Sequence, residues 1–286
     1  MPGSANPAIK DEMVRSPDGV ELFVREWGNP AGPEIVLIHG QAQCTLSFER
    51  QTGSFLAEKY RVVAFDLRGH GASGKPTAPE FYLESQRWAD DVKAVLEAKR
   101  LKRPVLAGWS MGGRVLRQYL IHYGDAALGG INFLATRPVE HPSSVGPGSA
   151  AVAAARGLDL GGRLRAEIEF LKDCYAKPPT AHELELQIAY NMLVPRPARD
   201  AIAAWKTDPD AILAALGRVT VPVLISHGTL DRLILPVAAE MTLNALTSAK
   251  TKRISWYEDC GHSPFFEDAE RYNRELDEFV AAIRPA

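Results

Sequence analysis

The chain has 286 residues, 46% of them hydrophobic and 24% charged, which allows a sizeable core and argues against wholesale disorder. Lys plus Arg number 33 against 35 Asp plus Glu, a formal net charge of -2, so nothing draws the chain to nucleic acid or to an anionic membrane, and a small neutral or weakly charged ligand fits better. Three scattered cysteines, Cys44, Cys174 and Cys260, odd in number and without metal-ligand spacing, argue against a disulfide framework and a zinc site.

Residues 1–13 (MPGSANPAIKDEM) carry no apolar stretch of the secretory-signal kind, and no uninterrupted apolar run approaches the length of a membrane span. The cytoplasm is the expected compartment, with the thiols reduced. Residues 20–26 (VELFVRE) alternate apolar and polar, which suits an antiparallel hairpin near the start. Six continuous apolar runs follow: 35–39 (IVLIH), 61–66 (RVVAFD), 104–109 (PVLAGW), 130–135 (GINFLA), 221–227 (VPVLISH) and 252–258 (KRISWYE). Continuous apolar character points to strands covered on both faces, as in parallel sheets.

Helical patterns lie between these runs, at 83–98, 111–123, 236–246 and 268–283. The alternation predicts a doubly wound α/β sheet. Residues 136–205 break it. They open with a Gly-, Ala- and Ser-rich stretch, read as mobile, and continue with amphipathic patterns near 163–175, 182–193 and 199–205. This segment is read as an inserted helical cap. The division is a first core part at 1–135, a cap at 136–207 and a second core part at 208–286.

Gly108-Trp109-Ser110-Met111-Gly112 fits G-x-S-x-G between a predicted strand and a predicted helix. The pentapeptide alone is weak; its context makes it strong. The chain must turn sharply at the serine to lift the hydroxyl clear of the sheet, and flanking glycines remove colliding side chains. A serine hydroxyl needs a base. His262, in the loop Asp259-Cys260-Gly261-His262-Ser263-Pro264 past the last predicted strand, is the favoured one, with His227 and His39 as rivals at strand ends. The base needs an anion to hold its tautomer. Asp231 follows the strand at 221–227 and gives the chain order Ser, Asp, His; Glu140, after the strand at 130–135, is a rival acid, and Asp259 lies too near His262 along the chain. Backbone amides aimed at developing negative charge contribute about 3 kcal/mol each in such sites. Met111, opening a helix, and Gln41, in the loop after 35–39, are the candidate donors. Trp109, Met111, residues 44–48 and the cap are expected to line the pocket. No metal or organic cofactor is required.

On IVLIHGQ, FDLRGHGASG, GWSMGG, VLISHGTLDRLILP and CGHSPFFE, in that order from Ile35 to Glu267, the chain resembles the α/β-hydrolase fold superfamily. The resemblance implies an α/β-hydrolase fold: an eight-stranded, mostly parallel sheet with helices on both faces and a cap after the sixth strand. It implies a Ser110, Asp231 and His262 triad with oxyanion donors at Gln41 and Met111, and makes Asp66, Arg68, Gly69 and Gly71 structural. Serine at position 110 disfavours epoxide hydrolases and haloalkane dehalogenases, which place Asp there. HGQAQ does not match the HGGPG-like loop of proline iminopeptidases. The expected activity is hydrolysis of a small-molecule carboxylic ester or lactone. A cofactor-free perhydrolase or haloperoxidase fits the same residues. A carbon-carbon bond hydrolase is weakened by Ser263, where an aromatic is common, and a hydrolase-derived small-molecule receptor stays open. Oligomeric state is not legible.

Overall fold

The computed structural model describes residues 9–154 and 158–283. Eight strands form one sheet: β1 (Lys10–Arg15), β2 (Glu21–Gly28), β3 (Glu34–Ile38), β4 (Arg61–Phe65), β5 (Val105–Trp109), β6 (Gly130–Leu134), β7 (Val223–Gly228) and β8 (Lys252–Tyr257). Their order across the sheet is β1-β2-β4-β3-β5-β6-β7-β8. β2 runs antiparallel to both its neighbours, and every other pair is parallel. This is the sheet that the resemblance implies.

Helices α1 (Glu49–Thr52) and α2 (Phe55–Lys59) precede β4, and α3 (Glu80–Leu83) and α4 (Ser85–Ala98) precede β5. α5 (Met111–Tyr123) follows β5 directly. α6 (Pro147–Ala154), α7 (Leu160–Asp173), α8 (Ala181–Asn191), α9 (Arg196–Ala204) and α10 (Pro209–Gly217) all lie between β6 and β7. α11 (Val237–Ala245) separates β7 from β8, and α12 (Pro264–Glu267) and α13 (Ala269–Ile283) end the described chain.

The two-residue repeat of the strands sorts their side chains into two cores. Val36, Ile38, Leu106, Ile131 and Ile225 pack on the face covered by α4, α5 and α10. Ile35, Leu37, Val105, Ala107 and Leu224 pack on the opposite face, against α2 and α13. Each such side chain contributes about 1.5–3 kcal/mol by leaving water. Because both faces are covered, β5, β6 and β7 are buried at every position, which is why they read as continuous apolar runs. β8 departs from that expectation: as an edge strand its burial alternates, although its sequence resembles the central runs. β1, short and polar, had no readable signal and is exposed at most positions.

The chain crosses from β4 over β3 to β5, so the strand order reverses around β3 and β5. Ligand sites of open α/β sheets form at such a reversal, beyond the carboxyl ends of the strands. The loops after β3 and β5 carry Gln41 and Ser110 respectively.

Between β6 and β7 the Gly-, Ala- and Ser-rich stretch forms a short turn at Pro142–Ser144 and then α6; its residues 155–157 lie outside the described residues. Farther on, Trp205 stacks on Trp88 of α4 with ring centroids 5.0 Å apart. Val194, Ala198, Ala201 and Ile202 join the main core, so α9 is anchored to the sheet layer while α7 and α8 are more exposed. The three cysteines are free and buried. Burial pushes the Cys44 thiol up to about 12 and the Cys260 thiol up to about 11, so neither is a ready nucleophile. Among the described residues no helix is long and apolar enough to cross a membrane.

Candidate active site

Ser110 sits between β5 and α5 with φ 53° and ψ -116°. A non-glycine residue at positive φ carries about 1–3 kcal/mol of strain and persists only where neighbours fix it. Three hydrogen bonds do so here. Ser110 N–H donates to Leu134 O (3.0 Å), Gly113 N–H donates to Ser110 O (3.1 Å), and Thr136 Oγ1–H donates to the same carbonyl (2.6 Å). The glycines of the motif follow from close approach. A Cβ on Gly112 would lie 2.1 Å from Ile38 O, and one on Gly108 would lie 2.8 Å from the Gly112 backbone. Only hydrogen at both positions lets α5 begin this close to the sheet.

Asp231 lies in the loop after β7. Its Oδ1 accepts from the amides of Leu233 (2.8 Å) and Ile234 (2.9 Å), and its Oδ2 accepts from His262 Nδ1–H at 2.8 Å. With its proton at Nδ1, His262 keeps the Nε2 lone pair available. The segment between β6 and β7 holds this loop in place. Gly146 and Gly148 amides donate to Leu233 O and Arg232 O at 2.9 and 3.1 Å, and Leu235 N–H donates to Ser144 O at 3.0 Å.

Ser110 and His262 line one cavity of about 110 Å³, together with Gln41, Met111, Arg114, Arg137, Ser149, Phe170, Leu233 and Ile234. Among the described residues, Ser110 Oγ makes no hydrogen bond, and the main-chain amides of Gln41 and Met111 donate to no group. The serine–histidine contact is one that commonly tightens only when a ligand is bound. Gln41 and Met111, with unspent amides, line one small space together with Ser110 and His262. No group of three or more His, Cys, Asp or Glu side chains among the described residues is placed to hold a metal ion.

The rival residues are engaged elsewhere. His39 Nε2 accepts from Leu67 N–H (2.9 Å), so its Nδ1–H donates to Gly40 O (2.8 Å), and burial holds its pKa down at about 4. His227 donates from Nε2 to Ile234 O (2.9 Å) behind Asp231, 3.5 Å from Oδ2. Glu140 accepts from Arg114 (3.1 Å) and Arg117 (3.0 Å). Asp259 is exposed. Asp66 accepts from the amides of Thr45 and Ala72, both at 2.7 Å, and a Cβ on Gly71 (φ +45°) would lie 2.0 Å from Asp66 Oδ2. Arg68 is buried in a two-point pair with Asp91, both contacts at 2.7 Å.

Trp109 faces away from this cavity. Its Nε1–H donates to His262 O (2.9 Å), and its ring packs on Phe265. It lines a neighbouring groove of about 200 Å³ with Leu46, Ser47, Tyr175, Tyr190 and Phe265. Of residues 44–48, Leu46 and Ser47 thus reach that groove, and none lines the space beside Ser110. Sequence reasoning also passed over Arg114, Arg137, Phe170 and Glu267. Glu267 Oε1 accepts from Gly261 N–H (2.8 Å), and its Oε2 accepts from the amides of Ala176 (2.7 Å) and Lys177 (2.9 Å). One carboxylate therefore ties the His262 loop to the loop that follows α7. Its place directly after an aromatic pair, in SPFFE, was the only available signal.

The alpha/beta hydrolase family model matches residues 35–275. The esterase RhEst1 from Rhodococcus sp. ECU1013 is similar in structure, with a TM-score of 0.87 and 29% identity over 96% of this chain and 99% of that one. The bifunctional esterase/perhydrolase DCH of Acinetobacter calcoaceticus is 27% identical over 93% of this chain and 98% of its own length. The non-heme chloroperoxidase of Streptomyces lividans is 26% identical over the same shares. The sheet order, the turn at Ser110 and the family match agree, and the chain belongs to the alpha/beta hydrolase family.

Proposed function

We propose that the protein cleaves a carboxylic ester or lactone through Ser110, His262 and Asp231, with the amides of Gln41 and Met111 as oxyanion donors. The observation that carries this reading is the shared cavity: Ser110, His262, Gln41 and Met111 line it together, and Asp231 orients His262 from behind at 2.8 Å. Ser110 Oγ attacks the carbonyl carbon and gives its proton to His262 Nε2. The carbonyl electrons move to oxygen, where the two amides hold the charge. Collapse of this intermediate breaks the carbon–oxygen bond to the alcohol, which leaves with the proton from His262. A water then attacks the acyl-serine and His262 takes its proton; the acyl–Oγ bond breaks, His262 returns the proton to Ser110 Oγ, and the acid is released. The segment 136–207 is proposed as the roof of the site, through Ser149 and Phe170.

A second reading is favoured by the relatives. DCH is both an esterase and a perhydrolase by name. Hydrogen peroxide replacing water at the acyl-serine would give a peracid by the same residues. The test is turnover of a panel of short esters and lactones, with and without hydrogen peroxide, by the wild-type protein and by Ser110→Ala. Hydrolysis lost by several orders of magnitude in the variant supports the proposal. Peracid as the dominant product in peroxide supports the second reading. Equal turnover by both proteins contradicts the two together.

A further inference from the structure

The cavity beside Ser110 carries more positive charge than its own residues neutralise. Arg114 and Arg137 both line it, on the same wall system as Ser110, Met111 and His262. Arg117, fully buried, shares Glu140 with Arg114. These three guanidinium groups have one carboxylate between them. Glu140 Oε1 accepts from Arg114 Nε (3.1 Å) and Arg117 Nη2 (3.0 Å), and Arg137 has no carboxylate partner among the described residues. Asp231, the other carboxylate near the cavity, is taken up by His262, so Arg137 is left without an anionic partner among the described residues.

The remaining contacts do not compensate. Arg114 Nη2 donates to Trp205 O at 3.2 Å, and its guanidinium lies 4.4 Å from the centre of the Trp205 ring. Arg117 donates to Pro138 O (2.7 Å) and to Thr207 Oγ1 (3.1 Å), while its Nε is buried without a partner. These groups orient the arginines without neutralising them. The crowding is felt: burial and then the charge of Arg114 pull Arg117 down to about 10. Holding like charges together in a partly buried site is costly unless an anion completes the set. Phe170, Leu233 and Ile234 give the cavity an apolar part of its lining.

Resting on the reading of Ser110 as an ester-cleaving nucleophile, we infer that the substrate carries a carboxylate close to its scissile ester, bound by Arg137 with Arg114 beside it. The planar fork of a guanidinium matches a carboxylate with two parallel hydrogen bonds. The cavity is small, so the carboxylate and the ester are separated by a short carbon chain. The substrate class is a half-ester of a short dicarboxylic acid, an acyloxy-carboxylic acid, or a lactone bearing a carboxylate. An overall charge of -2 hides this local excess.

The experiment compares kcat/KM for matched pairs: monomethyl glutarate against methyl pentanoate for a carboxylate on the acyl side, and acetoxyacetate against propyl acetate for one on the alcohol side. The wild-type protein should prefer one anionic member by roughly 10- to 100-fold, the range of a charge-assisted contact. In Arg137→Gln that ratio should collapse towards one, while Arg137→Lys should restore part of it. In parallel, glutarate should raise the Tm of the wild-type protein and of Ser110→Ala, and should not raise that of Arg137→Gln. No preference within either pair, or a preference that survives in Arg137→Gln, overturns the inference. Glutarate binding lost with Arg137, in a protein that turns over no ester at all, would uphold the anion subsite and overturn the hydrolase reading instead.

Discussion

Asp231 is the residue whose surroundings leave it least freedom. Its Oδ1 takes two amides of its own loop, and its Oδ2 takes His262. Asparagine in its place keeps the shape but presents either an amide hydrogen or a neutral oxygen to His262, so the imidazole tautomer is no longer held. Asp231→Asn is expected to fold normally and to lose about 10⁴-fold in kcat, whereas Glu140→Gln is not expected to approach that loss. Kinetics on one ester with both variants checks the ranking, and the reverse order would move the acid to Glu140. The residues legible in the sequence were those whose chemistry is written into a local motif. Ser110 has its glycines, and His262 and Asp231 each follow a strand. Arg114, Arg137 and Phe170 come from α5, the loop after β6 and α7. They meet only through the fold, and each alone reads as an ordinary helix or loop residue.

At the scale of elements, the segment between β6 and β7 touches the site from two directions. Through Gly146, Gly148 and Ser144 it grips the Asp231 loop, and through Glu267 the His262 loop grips the loop after α7. Burial raises the Glu267 carboxyl above its ordinary range, opposed by the amides that surround it. Glu267→Ala would leave those amides unpaired and is expected to cost about 2 kcal/mol of stability and to lower kcat more than it raises KM. Urea unfolding together with steady-state kinetics separates the two effects; unchanged kcat would make the carboxylate a stability element only. Phe170 lines the cavity from α7, so Phe170→Ala is expected to shift preference between acyl chains by about 1–3 kcal/mol per methylene-sized change in fit. An acyl series measured as kcat/KM checks this, and equal scaling on every member would remove α7 from the pocket. The helices were legible where a clear apolar stripe met the sheet, as in α4 and α13. The inward residues of the inserted segment were legible only in part: of Leu164, Ile168, Leu171, Leu184 and Ile188, which form its apolar faces, Leu171 is buried and the other four are half-buried, while Phe170 and Ser149 line the cavity. Burial there depends on how α7 and α8 dock, which periodicity alone does not state.

Across the whole molecule, three histidines are buried in the neutral form. Burial holds His39 at about 4 and His70 at about 3, and lowers His227 as well. In the unfolded chain each titrates near 6.5. Their contribution is fully present above that value. It is lost as pH falls from about 6.5 towards 4, because the unfolded chain takes up protons first. Three such groups give a slope of up to about 4 kcal/mol per pH unit. Stability measured by urea unfolding between pH 7.5 and 4.5 should fall on this side; a flat profile would contradict neutral burial. The proposed nucleophile is also a property of the whole fold: only the folded chain should activate one hydroxyl, at the end of β5, among all its serines. The direct test is a fluorophosphonate probe on native and urea-unfolded protein, read by intact mass and peptide mapping. One label on the native chain, at Ser110, with none on the unfolded chain or on Ser110→Ala, is the expected result. Labelling at another residue, or undiminished labelling of Ser110→Ala, would contradict the account.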